Sequence, residues 1–376
     1  MQQHCLICRR TAPDANLYCE QTYCPGELSP LILEQGEHLA DIEIVRPVTI
    51  LRSGVVYAGM RQGEPVYIKV AHQGAGHKER LKREAELCAV AQVKKVATPF
   101  LPTLLPVNLL KTGKQETYGK TMIAGRLVYY YVFAYVEAES LRAILRKQPQ
   151  LWTQHIGWIA IGVATAVAYL HRRRVFHFGL APESVLVYFD AEAPNTPRIL
   201  LVDLGICSLA DNLGESWYPD FLPPAYTAPE LIDERRRQPK SSGTQVPPNA
   251  QVDVYGLGLL LYEMLIGAPP IPDLLRGDEA VYALAVRGPQ ASMDRVDDVR
   301  PIAELARQCT DVQINKRLPD PAAFGQQLMA FFGAIPEEPK KSRRPSQRTI
   351  YMVAGAVLTM AFLLALAFSM AQGLLS

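Results

Sequence analysis

The spacing of apolar residues changes along the chain and predicts the elements in order. Val48 to Tyr57 and Val66 to Val70 read as strands flanking the turn Arg61-Gln62-Gly63-Glu64-Pro65, a hairpin pattern. From His77 to Gln92 charged residues dominate, but Leu81, Ala85 and Cys88 fall on one face of a helix. Leu127 to Val136 reads as a further apolar strand. Trp152 to Arg173 carries Ile156, Ile159, Val163, Ala166, Val167 and Leu170 at helical spacing. Val252 to Ile266 is apolar on nearly every side and too short to cross a bilayer, so it predicts a buried core helix. Asp233 to Gln251, rich in Pro, Ser and basic residues, reads as an exposed loop. Strands come first and helices later, so residues 41–334 are expected to form one α+β body of two parts.

The last apolar stretch differs in kind. From Ile350 to Met370 there is no charged residue, and the length matches the about 20 helical residues that span a bilayer. A transmembrane helix is expected over 349–371, preceded by a polar basic linker, 335–348. Lys340, Lys341, Arg343, Arg344 and Arg348 flank its N-terminal side with no acidic residue between them, which would hold the bulk of the chain in the cytoplasm. The polar start, Met1-Gln2-Gln3-His4-Cys5, does not read as a signal peptide. The expectation is a single-pass protein of the inner or plasma membrane. Gly355 and Thr359, like Ala361 and Ala365, have the small-xxx-small spacing that fits pairing of two copies, so a homodimer is a further expectation.

Composition changes this picture at one point. With 376 residues, 49% hydrophobic and 20% charged, the chain has ample material for a core and is no disordered or fibrous protein. A net charge of +2 does not suggest a nucleic-acid binder. Of 7 cysteines, however, Cys5, Cys8, Cys19 and Cys24 crowd the N-terminus as C-x2-C-x10-C-x4-C. Two close pairs of thiolates can supply a tetrahedral zinc site, and Pro13-Asp14 and Pro25-Gly26 supply turns beside them. Residues 1–28 therefore read as a zinc-ribbon-like module with one structural zinc, His4 being a neighbour that could substitute as ligand. Two disulfides are the other reading of the same residues, disfavoured in a cytoplasmic setting. Within the module Arg9 and Arg10 face Asp14, Glu20 and Glu27, so a protein contact is expected of it rather than nucleic acid.

The central body resembles the eukaryotic-type Ser/Thr protein kinases of bacteria, motif by motif and in the family's order. Val66-Tyr67-Ile68-Lys69 is similar to the strand that carries the nucleotide lysine, and Arg83-Glu84-Ala85 to the helix that carries its glutamate partner. Phe133-Ala134-Tyr135-Val136-Glu137 resembles the hinge. His177-Phe178-Gly179-Leu180-Ala181-Pro182-Glu183-Ser184 stands where the catalytic loop would be. Asp203-Leu204-Gly205 and Ala228-Pro229-Glu230 resemble the metal-binding and loop-closing motifs, and Asp253 to Gly258 the start of the central large-lobe helix. The resemblance implies a bilobal kinase fold, with Lys69, Glu84, Asp203, Gly54, Phe133, Tyr135 and Val136 around a nucleotide cleft, and ATP and Mg as the ligands of such a cleft.

It also implies losses. The orienting aspartate falls on Gly179, the phosphate-neutralising lysine on Ala181, the second metal-binding asparagine on Ser184, and a hydroxyl that steadies the pair on Pro223. The arginine that answers a phosphorylated loop falls on Phe178. Of the glycine-rich loop, Thr49 to Val56, only Gly54 survives. Alternation along a strand turns Tyr67 to the same side as Lys69, into the space for adenine. These positions count against ATP and Mg binding. Glu230 with Arg317, by contrast, matches a buried ion pair of the fold, and Asp253 a residue that caps the catalytic-loop backbone.

Three readings of function follow. One is a pseudokinase, a membrane-anchored kinase fold acting as scaffold or allosteric partner of kinases or other signalling proteins. The second is an atypical active Ser/Thr kinase using Lys69 and Asp203. The third places the function in the zinc module as a protein-interaction adaptor.

Overall fold

The computed structural model describes residues 33–51, 53–72, 75–93, 99–108, 116–123, 125–204, 226–231, 249–270 and 299–332, with a few shorter pieces. Cys5, Cys8, Cys19 and Cys24, Pro223, the linker 335–348 and the apolar run 349–371 lie outside the described residues, as does most of the loop expected over Asp233 to Gln251. Near the N-terminus Gln3–His4 pairs antiparallel with Thr11–Ala12.

A seven-stranded antiparallel sheet comes first. Its main strands are β1 (Ile42–Ile50), β2 (Gly54–Arg61), β3 (Glu64–Ala71), β4 (Gly119–Ile123) and β5 (Arg126–Ala134), with β3 paired between β2 and β5. Helix α1 (Ala75–Val93) packs on one face, burying Leu81, Ala85 and Cys88 as their spacing predicts. The stretch Val48 to Tyr57, expected as one strand, is two: the end of β1 and the start of β2, reversing at Leu51 to Ser53 with the Leu51 N–H on the Gly54 carbonyl at 2.8 Å. The polar Ser53 stands at the reversal. The hairpin between β2 and β3 turns on Gln62 and Gly63, both at positive φ, which is the two-residue turn that matches strand twist.

The second part is helical. It comprises α2 (Leu141–Lys147), α3 (Thr153–His171), α4 (Ala250–Ile266), α5 (Arg300–Cys309) and α6 (Pro321–Phe331), with a hairpin of β6 (Val185–Asp190) and β7 (Ala193–Leu201) beside α3. Helix α4 is buried nearly throughout, as its all-round apolar surface requires, and ends on Gly267 at φ 78, whose N–H bonds the Glu263 carbonyl at 2.7 Å. Helix α3 is long and apolar enough to cross a membrane, but it is mostly buried inside this part, against α4, α6 and β7. A sheet-rich small lobe and a helical large lobe thus make the α+β architecture.

Candidate functional site

The site is built where the inner face of the sheet meets α1 and the chain after β7. Period-two alternation on β3 sends Tyr67 and Lys69 to this face together, with Val56 and Ala58 from β2 and Tyr131 and Phe133 from β5. Lys69 is fully buried and ion-paired with Glu84 of α1, and its Nζ lies 2.9 Å from Asp203 Oδ1. The Glu84 carboxylate also accepts from the Leu204 N–H at 2.9 Å. Lys69 and Glu84 are therefore brought together with Asp203, which lies over a hundred residues farther along the chain.

Asp203 has further partners that the sequence reading missed. The hydroxyl of Ser53, from the reversal between β1 and β2, donates to Oδ1. Arg80, one turn before Glu84 on α1, is wholly buried and places Nη2 3.5 Å from the same oxygen. Burial alone would raise the Asp203 carboxyl, but Lys69, then Arg80, then the Ser53 hydroxyl hold it well below the usual carboxylate range. His72 and His77 stand beside this group, their rings 5.4 Å apart. Burial, helped by the charge on Arg80, lowers them to about 3 and about 4, so both are neutral at pH 7. The signal for Arg80 was its i, i+4 spacing from Glu84, which puts both on one helix face.

Farther along the cleft, Tyr67 is fully buried and touches Phe133 and Tyr135 at ring distances of 5.2 and 4.8 Å. Its hydroxyl donates to the Val136 carbonyl at 2.5 Å and accepts from the Ala138 N–H at 3.3 Å. Burial pushes this phenol up to about 12. Two backbone groups of the hinge, Val136 C=O and Ala138 N–H, are thereby satisfied by a side chain of the protein. Gly54 is required for a packing reason: a Cβ there would meet the Val70 carbonyl oxygen at 2.1 Å.

Across the cleft the loop from His177 to Ser184 is buried along its whole length. Asp253, in the first turn of α4, accepts from the His177 and Phe178 N–H groups at 2.8 and 2.6 Å and lies 2.7 Å from His171 Nε2. These bonds hold Phe178 at φ 60, an uncommon conformation for a residue with a side chain. Its ring stacks on Phe176 inside the large-lobe core. Gly179 and Ala181 offer no polar side chain. The Ser184 hydroxyl donates to the Ala181 carbonyl at 2.8 Å and accepts from the Ala181 N–H, so it serves its own loop.

Glu183 is drawn into a network the sequence did not suggest. Arg142 of α2 donates to Glu183 Oε1 at 2.6 Å and to the Tyr226 hydroxyl at 2.6 Å, and pairs with Glu263. Thr49 of β1 reaches over from the small lobe to the Glu183 carbonyl at 3.0 Å. The depression left at this mouth, bounded by Thr49, Ser140, Arg142 and Glu183, holds about 140 Å³. Ligand sites usually offer ~300–1,000 Å³. On the far side of the large lobe Arg317 makes the expected two-pronged pair with Glu230, at 2.7 and 2.9 Å.

The residues do not fit the metal that a kinase cleft implies. Of the two positions that would hold it, Asp203 has its Oδ1 taken by Lys69, Arg80 and Ser53, and Ser184 is turned into its own loop.

The protein kinase domain family matches residues 52–325. The serine/threonine-protein kinase AfsK of Streptomyces coelicolor is 31% identical over 196 residues, which are 52% of this chain and 22% of AfsK. Serine/threonine-protein kinase PkaA of the same organism is 32% identical over 136 residues, 36% of this chain and 22% of PkaA. An Aurora kinase of Yarrowia lipolytica is 27% identical over 206 residues, 53% of this chain and 49% of that protein. The chain spans less than half the length of each of these relatives. The motif order, the two-lobed architecture and the length of the match agree, and the chain belongs to the protein kinase domain family, in its eukaryotic-type Ser/Thr branch.

Proposed function

We propose that this chain is a pseudokinase: a kinase fold held at the inner or plasma membrane that works as a signalling scaffold or allosteric partner and transfers no phosphate at a useful rate. One observation carries the reading. The cleft is filled by the protein's own groups, Tyr67 on the hinge and Ser53, Lys69 and Arg80 on Asp203. Gly179 and Ala181 remove the groups that would orient a substrate hydroxyl and neutralise the phosphate. Glu183, the nearest carboxylate in sequence, is spent on Arg142. The test is phosphate transfer to a generic protein and to the chain itself with Mg or Mn and ATP. None is expected above background. Transfer abolished by Lys69→Ala and by Asp203→Asn would overturn the reading and establish the atypical active kinase, which the intact Lys69–Glu84 pair and the kinase names of the relatives favour.

The two ends belong to the same proposal. The spacing of Cys5, Cys8, Cys19 and Cys24, C-x2-C-x10-C-x4-C, supports a zinc knuckle of four thiolates. The uncharged run from Ile350 to Met370 supports the anchor. The ligands of the body would be proteins, with no nucleic acid. A single membrane preparation tests both ends: the chain should need detergent for release and carry about one zinc per chain. Release by salt alone would remove the anchor, and absence of zinc in chelator-free protein would remove the knuckle.

A further inference from the structure

The structure assigns to Arg80 the place of a divalent metal: it is the resident cation of the Asp203 site. Three observations converge. Arg80 is fully buried on the face of α1 that looks into the cleft, and its guanidinium approaches Asp203 Oδ1 at 3.5 Å. Among the described residues the buried charges balance, since the cations Lys69 and Arg80 meet the carboxylates Glu84 and Asp203. Moreover, Ser53, His72 and His77 surround the cluster as neutral groups, so none of them supplies the negative charge that a further cation needs.

A divalent ion added here would leave two uncompensated positive charges in a site that is almost wholly buried, which is strongly unfavourable. The same contact does mechanical duty. Arg80 and Glu84, one turn apart, tie α1 to Asp203 and to the Leu204 N–H, so the helix is docked without nucleotide or metal. A kinase cleft normally acquires its cations with its ligand; this one carries its own. The inference extends the pseudokinase reading but rests on the charge balance rather than on catalytic rate.

The test measures thermal unfolding of the full chain, without nucleotide, in a chelator partly loaded with zinc, so that the knuckle keeps its metal while Mg and Mn are removed, and in millimolar Mg or Mn. Wild type should melt at the same temperature in all three. Arg80→Met keeps the aliphatic stem and removes the charge. It should melt roughly 5–10 °C lower in chelator, because Asp203 loses a buried partner. It should regain several degrees on adding Mg or Mn, which wild type does not. Arg80→Lys should restore indifference to metal. If Arg80→Met cannot be purified in chelator, its recovery when expressed and refolded in Mg reads out the same effect, and no recovery counts against the inference. An Arg80→Met protein that ignores divalent ions, or a wild type that is stabilised by them, overturns it. Failure of the pseudokinase reading would show separately, as phosphate transfer by wild type.

Discussion

The two faces of the small-lobe sheet are made by the same strands and differ in every respect that bears on function. The outer face packs Ile42, Ile44, Val55, Ile68 and Val132 into an apolar layer, in which the Tyr57 hydroxyl accepts the Leu33 N–H at 3.0 Å. The inner face, one residue out of step along each strand, carries Tyr67 and Lys69 and meets Arg80, Glu84 and Asp203. The outer face is held by area and shape and tolerates any side chains of similar volume. The inner face is held by matched charges and hydrogen bonds, each useful only while its partners are present. An inner face of that kind suits a ligand-binding cleft, yet the Tyr67 hydroxyl, the Lys69 ammonium, the Glu84 carboxylate and Oδ1 of Asp203 are spent within the protein.

The largest expected effect separates the faces by double substitution. Lys69→Met should cost ~3–5 kcal/mol, because it leaves Glu84 buried and unpaired. Adding Glu84→Leu should return most of that loss. Ile68→Ala on the outer face should cost ~2–5 kcal/mol by cavity formation, and no charge change elsewhere should rescue it. Urea unfolding of the single and double variants reads both, and a double variant no better than the sum of its parts would erase the distinction.

Acid should weaken the inner face first. His72 and His77 have folded pKa values lowered to about 3 and about 4, against ~6.5 in an unfolded chain. Between those values the unfolded chain binds protons that the folded one refuses. Their contribution to stability is therefore full above pH ~6.5 and is lost as pH falls toward 4, at up to ~1.4 kcal/mol per pH unit for each histidine. Asp203 has the opposite origin and a lower window. Its carboxyl is depressed when folded, so its contribution is present above pH ~4 and lost only below it. Unfolding midpoints from pH 7 to pH 4.5 should fall in wild type and in Ile68→Ala alike, and should fall less in His72→Asn/His77→Asn.

The smallest effect on stability falls at the hinge and carries the sharpest functional readout. Tyr67→Phe removes the hydroxyl shared by Val136 and Ala138 and should cost ~1–3 kcal/mol. Wild type should show no thermal stabilisation by millimolar ATP, whereas Tyr67→Ala opens the space that the ring fills and should gain some. If Tyr67→Ala gains none, occupancy by the ring is not what excludes nucleotide.

Much of this was legible in the sequence, for local reasons. Strict alternation on β3 was enough to put Tyr67 beside Lys69 on one face, because side chains on a strand have no other choice. The helix over Ala250–Ile266 was legible because only a buried helix can be apolar all round. The reversal between Leu51 and Gly54 was missed, since an apolar run on either side of two polar residues reads as one strand until the antiparallel pairing of β1 with β2 divides it. Arg80 and Arg142 were missed because each lies in a charged helical stretch and reads as solvent-exposed.

Alone, then, the sequence determined the two-part body, the order of its motifs, the presence of Gly179 and Ala181 in the loop before β6, and the direction in which Tyr67 points. These depend on residue identity and on the period of the backbone. Only the tertiary structure decided that Ser53 and Arg80 join Lys69 on Asp203, and that Glu183 is taken by Arg142. A buried charge settles on whichever partner the packing of distant segments brings within a few ångströms, and no local spacing along the chain encodes that meeting.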